Sequence, residues 1–76
     1  GGQVPEGPRP AALRAQTVES ALASPRAAML TAAQFAEAMR LRTAFNRARE
    51  AGDSAESARL EKLILSLVRE GPPSLA

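Results

Sequence analysis

Few side chains in this sequence could do chemistry. The chain has no His, Cys, Tyr or Trp. Asp53 is the only aspartate, so acid–base work would rest on Glu, Lys, Arg and one Asp. The serines have no histidine to activate them. Glu37, Glu50, Glu56, Glu61 and Glu70 are scattered beside arginines, the usual pattern of a solvated helical face with local ion pairs. Asp53 follows Gly52 at the head of an amphipathic run, where an aspartate is expected as a helix cap. No glycine-rich phosphate loop and no metal-ligand spacing is present. The expectation is a non-enzyme, with no catalytic residue, no cofactor and no metal.

What remains is helices. The chain has 76 residues, enough for one small domain. Half of its 34 apolar residues are alanine, and the only aromatic residues are Phe35 and Phe45. A chain of this size without cysteine buries a modest core and gains no disulfide, so self-association or a partner is the expected source of extra stability.

Residues 1–10 hold three Gly and three Pro, the composition of a disordered linker or a cloning remnant. The Gly1-Gly2 start without Met suggests an excised piece of a longer protein. From Ala11 to Ala23 the stripe Ala11, Ala15, Val18, Leu22 predicts a helix, with Leu13 off the stripe. Ser24-Pro25 either ends that helix or opens a short new one, with Ser24 as N-cap and Pro25 in the first turn.

A helical hairpin follows. Thr31 and Gln34 have capping-box spacing, and Leu30 with Phe35 has hydrophobic-staple spacing. These signals predict a helix start at Thr31, against the alternative of one helix from Pro25 to Ala51. The helix to Ala51 gathers Ala38, Leu41, Ala44, Phe45 and Ala48 on one face, with Phe35 and Met39 to one side beyond Arg42 and Arg49. Gly52 fits the left-handed position after a helix, and Asp53 with Glu56 repeats the capping-box spacing. So short a turn makes the two helices antiparallel neighbours. The last helix, Ser54 to Glu70, has Leu60, Leu63, Ile64 and Leu67 on its apolar face, Val68 flanking it and Leu65 off it. Gly71-Pro72-Pro73 stops it, and residues 72–76 read as a disordered tail. The wide apolar faces exceed what one hairpin can bury, and the surplus argues for an interface.

Other binding classes fit poorly. A net charge of +2 does not call for nucleic acid. Arg40, Arg42, Arg47 and Arg49 fall on two opposite faces, and aromatic stacking platforms are missing. No stretch approaches a membrane span, no secretory leader is visible, and acids alternate with bases. No nucleic acid and no membrane are expected as partners, and a cytoplasmic location is. Nine Arg to one Lys, with abundant Ala, suggests a high-GC genome.

The stretch Gln34-Phe35-Ala36-Glu37 … Ala44-Phe45, then Ala58-Arg59-Leu60-Glu61-Lys62-Leu63-Ile64-Leu65-Ser66-Leu67-Val68, then Gly71-Pro72-Pro73, resembles the helical docking domains at the ends of modular polyketide synthase subunits. The resemblance covers roughly residues 34–73. It departs from the family at Arg69-Glu70, where a Trp is often found, and in lacking an acidic helix downstream. It implies a non-catalytic connector holding the carrier-protein end of one subunit near the next, through a four-helix bundle made as a homodimer or with a cognate docking element. Met29 could mark the natural start of such an element, the residues before it then being the tail of a different subunit in a fused pair; an internal methionine is otherwise a core residue.

The sequence therefore predicts an all-α bundle of three to four short helices over residues 11–71, built on the antiparallel hairpin. Its expected core is Leu41, Phe45, Leu60, Leu63, Ile64 and Leu67. Phe35 with Met39, and Leu65 with Val68, are the expected partner-facing patches. Arg42, Arg49, Glu61 and Arg69 are the expected rim charges that select a partner. The alternative is a small helical adaptor or chaperone-like regulator that binds a partner helix.

Overall fold

The computed structural model describes the backbone of residues 11–73 and the side chains of residues 12–73. The expected linker over residues 1–10 and the last three residues of the expected tail lie outside the described residues. Four helices are present: α1 (Ala11–Leu22), α2 (Pro25–Ala28), α3 (Ala32–Glu50) and α4 (Ser54–Glu70), with no strand among the described residues. The described residues form a small all-helical bundle in which α1, α3 and α4 pack together and α2 is a single turn between α1 and α3.

The boundaries follow local chemistry. Ser24 caps α2, its Oγ accepting from the Ala27 N–H at 3.3 Å, with Pro25 in the first turn, where a missing N–H leaves nothing unsatisfied. Thr31 opens α3 with a complete capping box: its Oγ1 accepts from the Gln34 N–H at 3.1 Å, and the Gln34 Oε1 accepts from the Thr31 N–H at 2.9 Å. The break at Thr31 therefore wins over one continuous helix.

A Schellman motif joins α3 to α4. The Asp53 N–H donates to the Ala48 carbonyl at 2.8 Å and the Gly52 N–H to the Arg49 carbonyl at 3.0 Å, with Gly52 at φ +71°. Asp53 then caps α4, its Oδ1 accepting from the Glu56 N–H at 3.0 Å. The expected second half of this box does not form, because Glu56 turns forward to Arg59 instead.

The core is Val18, Phe45, Ala48, Leu60 and Ile64, with Ala15, Leu22, Leu41 and Ala44 partly buried around it. Phe45, Ile64 and Val18 are the largest fully buried side chains, each stabilising the fold by roughly 1.5–3 kcal/mol through removal from water. Val18 places α1 inside this core, so the hairpin is closed by the helix before it. Met29 is 68% exposed and is no core residue.

Two expectations about α4 need correction. Leu63, expected in the core, is 42% exposed, and Val68, expected on a partner-facing patch, is 5% exposed. The buried residues of α4 are Ser57, Leu60, Glu61, Ile64 and Val68. At about 100° per residue, this stripe is centred roughly 65° round the helix from the Leu60–Leu63–Ile64–Leu67 stripe. The cause is α1, which packs along α4 on the Glu61 side and draws that side inward.

Candidate interaction surface

The residues expected to share a core or an interface divide into three groups. Phe45, Leu60, Ile64 and Val68 are buried. Met39, Leu41, Leu65 and Leu67 are half-buried. Phe35 and Leu63 are exposed. Leu41 packs against the core rather than within it, and Leu67 is not part of the fully buried set.

The expected rim charges are largely occupied within the chain. Glu61 is 5% exposed, so it is no rim charge. Its Oε1 lies 3.4 Å from Nη1 of Arg14, which is buried as well. Such a pair must offset the cost of removing two charges from water, so its loss on one side is more damaging than its presence is stabilising. Arg42 reaches back from α3 to α1, its Nε donating to Glu19 Oε2 at 2.6 Å. That hydrogen bond, and then the nearby negative charge, raises the Arg42 pKa above its ordinary value.

Arg49 lies over the Phe45 ring, 5.8 Å from its centroid, within the range of a cation–π contact. Its Nη1 donates to Asn46 Oδ1 at 3.3 Å, while its Nε is buried without an acceptor. Arg69 is exposed, and its Nη2 donates to Ser66 Oγ at 3.4 Å.

Side chains from the other helices close the C-terminal end of α4. Arg26 Nη2 donates to the Arg69 carbonyl at 2.5 Å, and Gln34 Nε2 to the Gly71 carbonyl at 2.9 Å. The last carbonyls of a helix have no partner within it, and these two donors supply some of what is missing. Beside them lies a shallow cleft of about 230 Å³ lined by Arg26, Met29, Glu70, Gly71 and Pro72.

Two features escaped the sequence reading. The Arg14–Glu61 pair had a faint signal, since Arg14 lies four residues before Val18 and Glu61 three before Ile64, on the buried side of each helix. The second bond of Gln34 had no signal, because it spans 37 residues of chain.

The large apolar side chains left in water are Leu13, Met29, Phe35 and Leu63 among the described residues. No three His, Cys, Asp or Glu side chains among the described residues gather as metal ligands, and no described helix is long and apolar enough to cross a membrane. Comparison with known proteins finds no matching family model, no matching characterised protein and no matching solved structure.

Proposed function

We propose that this chain is a non-catalytic protein–protein docking module, one that joins successive subunits of a polyketide synthase type assembly line through helix packing, in a bacterial cytoplasm. The observation that carries the reading is Leu63. It is 42% exposed in the middle of α4, on a bundle whose own core is already closed by α1. The chain's own packing covers Leu63 only in part, and the apolar area it leaves in water is available to a contact surface. The resemblance of residues 34–73 to polyketide synthase docking domains supplies the assembly-line context.

A second reading, a small helical adaptor that binds a partner helix, is supported by the burial of Val18. With α1 completing the core, one chain forms a bundle by itself.

Removing this segment from its parent subunit tests the proposal. Product transfer to the next subunit should fall at least about tenfold, through loss of effective concentration, while each subunit keeps its turnover on a diffusible substrate. Transfer at the original rate without the segment overturns the docking reading.

A further inference from the structure

We infer that α1 is a hinged flap: it leaves the α3–α4 hairpin as one unit, swinging about Ser24, while α2 and the hairpin stay folded. Closed, it is an autoinhibitory cover over the α1-facing sides of Phe45, Leu60 and Ile64. This goes beyond the docking reading and does not depend on it.

The joint is set by the sequence. Pro25 disfavours the helical conformation at the residue before it, and Ser24 is extended, at φ −75° and ψ 159°. α1 and α2 therefore cannot merge into one helix. The last backbone hydrogen bonds of α1 run from the Ala23 N–H to the Glu19 carbonyl and from the Ser24 N–H to the Ala21 carbonyl. Those of α2 begin at the Ser24 carbonyl, which accepts from the Ala27 and Ala28 N–H groups. A rotation at Ser24 reorients α1 and leaves all four intact, as a hinge residue at the end of an element does. Among the described residues, the Ser24 hydroxyl alone bonds to both sides of the joint. It donates to the Ala21 carbonyl at 2.7 Å and accepts from the Ala27 N–H at 3.3 Å, and a swing gives up one of these two bonds.

Beyond the joint, the chain has ties that do not pass through α1. Thr31 and Gln34 cap α3, the Gly52-Asp53 turn joins α3 to α4, and Gln34 bonds to the Gly71 carbonyl. Arg26 fastens α2 to the Arg69 carbonyl at the end of α4.

The hold on α1 is of a kind that opening partly gives back. Its buried side chains among the described residues are Val18 and Arg14, with Ala15 and Leu22 partly buried. Arg14 pairs with Glu61 of α4, which is buried too. Taking two charges out of water is costly, and apolar residues of similar size hold two helices at least as well. When α1 swings out, Val18 loses its seat, but Arg14 and Glu61 regain water. The Glu19–Arg42 pair is exposed and adds little. A helix held in this way is a cooperative unit that opens below global unfolding. Phe45, Leu60 and Ile64 are each at most 3% exposed, so this apolar strip of the hairpin meets other chains only while α1 is out.

The experiment is amide hydrogen exchange of the full chain, read residue by residue by NMR under conditions where the fold is stable. The amides of Val18, Ala21 and Leu22 should share one protection factor, at least about tenfold lower than those of Phe45, Leu60 and Ile64. The double variant Arg14→Met with Glu61→Leu keeps α1 seated and removes the hydration that opening recovers. Its α1 protection should rise to within about threefold of the hairpin's, with circular dichroism as the control for folding. Equal protection in α1 and the hairpin of the wild-type chain overturns the inference. So does a steady gradient along α1, which is fraying from its start, or a gap that the folded double variant leaves unchanged. If the double variant does not fold, the wild-type comparison decides by itself. Exchange is read on the chain alone, so the subunit-transfer test of the docking reading stands or falls separately.

Discussion

The Gln34 carboxamide ties the start of one helix to the end of another by way of Gly71. Its Oε1 accepts the Thr31 N–H at the head of α3, and its Nε2 donates to the Gly71 carbonyl beyond α4. One side chain satisfies a backbone group at each of two helix ends, which lie together because the hairpin is antiparallel. Gln34→Glu keeps the capping acceptor and loses the donor. It should destabilise the fold by about 1 kcal/mol in urea unfolding, and Gln34→Ala, which loses both bonds, by about 2 kcal/mol. Equal losses for the two variants would mean that the Gly71 bond contributes nothing.

The Arg14–Glu61 pair should show strong non-additivity. Either Glu61→Leu or Arg14→Met takes the 3.4 Å ion-pair partner from a residue that stays buried, at a cost of up to about 3–5 kcal/mol. A domain of this length has a stability of order 5 kcal/mol, so each single variant should keep only a small part of it and melt far below the wild type. The double variant should recover most of the loss. Thermal unfolding followed by circular dichroism reads all three.

Phe45 and Leu63 should respond in opposite ways, although both are large apolar residues of the same hairpin. Phe45→Ala removes a ring that is 1% exposed and should cost about 3–5 kcal/mol. Leu63→Asp changes a half-solvated site and should leave helicity and melting temperature nearly unchanged. Helicity measured on the two variants separates the buried core of the hairpin from the exposed side of α4.

The difference between those two residues also marks where the sequence can be read and where it cannot. The caps and turns at Ser24, Thr31, Gly52 and Asp53 were legible because each depends on residues within three or four positions. The Val18 stripe of α1 was legible for the same reason. The orientation of α4 was not. Its sequence offers two overlapping apolar stripes, Leu60–Leu63–Ile64–Leu67 and Leu60–Ile64–Val68, and the choice between them is made by α1, some forty residues earlier in the chain. Glu61 reads as a solvated charge in the sequence because its partner, Arg14, comes into view only once α1 and α4 are side by side. The sequence shows more apolar residues on α4 than one stripe holds, and that Leu63 rather than Val68 is the exposed one follows from the same tertiary choice.

Gly52 carries the turn between α3 and α4 at φ +71°, and a β-carbon there would meet nothing within 4 Å. The cost of Gly52→Ala is therefore conformational alone, about 1–2 kcal/mol in unfolding free energy. Gly52→Asn should cost less, because asparagine tolerates the left-handed region. Comparable losses for both would point to something other than backbone conformation.

Acid should loosen the first turn of α4. A hydrogen bond from Arg59 holds the Glu56 carboxyl below its ordinary value of 4.5. A carboxyl depressed in the folded state adds stability that is fully present above its unfolded pKa and lost as pH falls through the folded one. The Arg59→Ala variant should therefore show a shallower decline of stability below about pH 4.5 than the wild type, and added salt should shrink the difference because the pair is exposed. Melting temperature against pH, at two salt concentrations, checks the sign.

In the docking reading, protein contact falls on the exposed α4 surface at Leu63. Backbone amide NMR shifts, followed while a partner chain or the chain itself is titrated in, test this most directly. The docking reading predicts that shifts concentrate around Leu63 on α4, with those around Leu13 on the exposed side of α1 unmoved. Shifts concentrated on α1, or at Met29 and Phe35 with Leu63 unmoved, would contradict it.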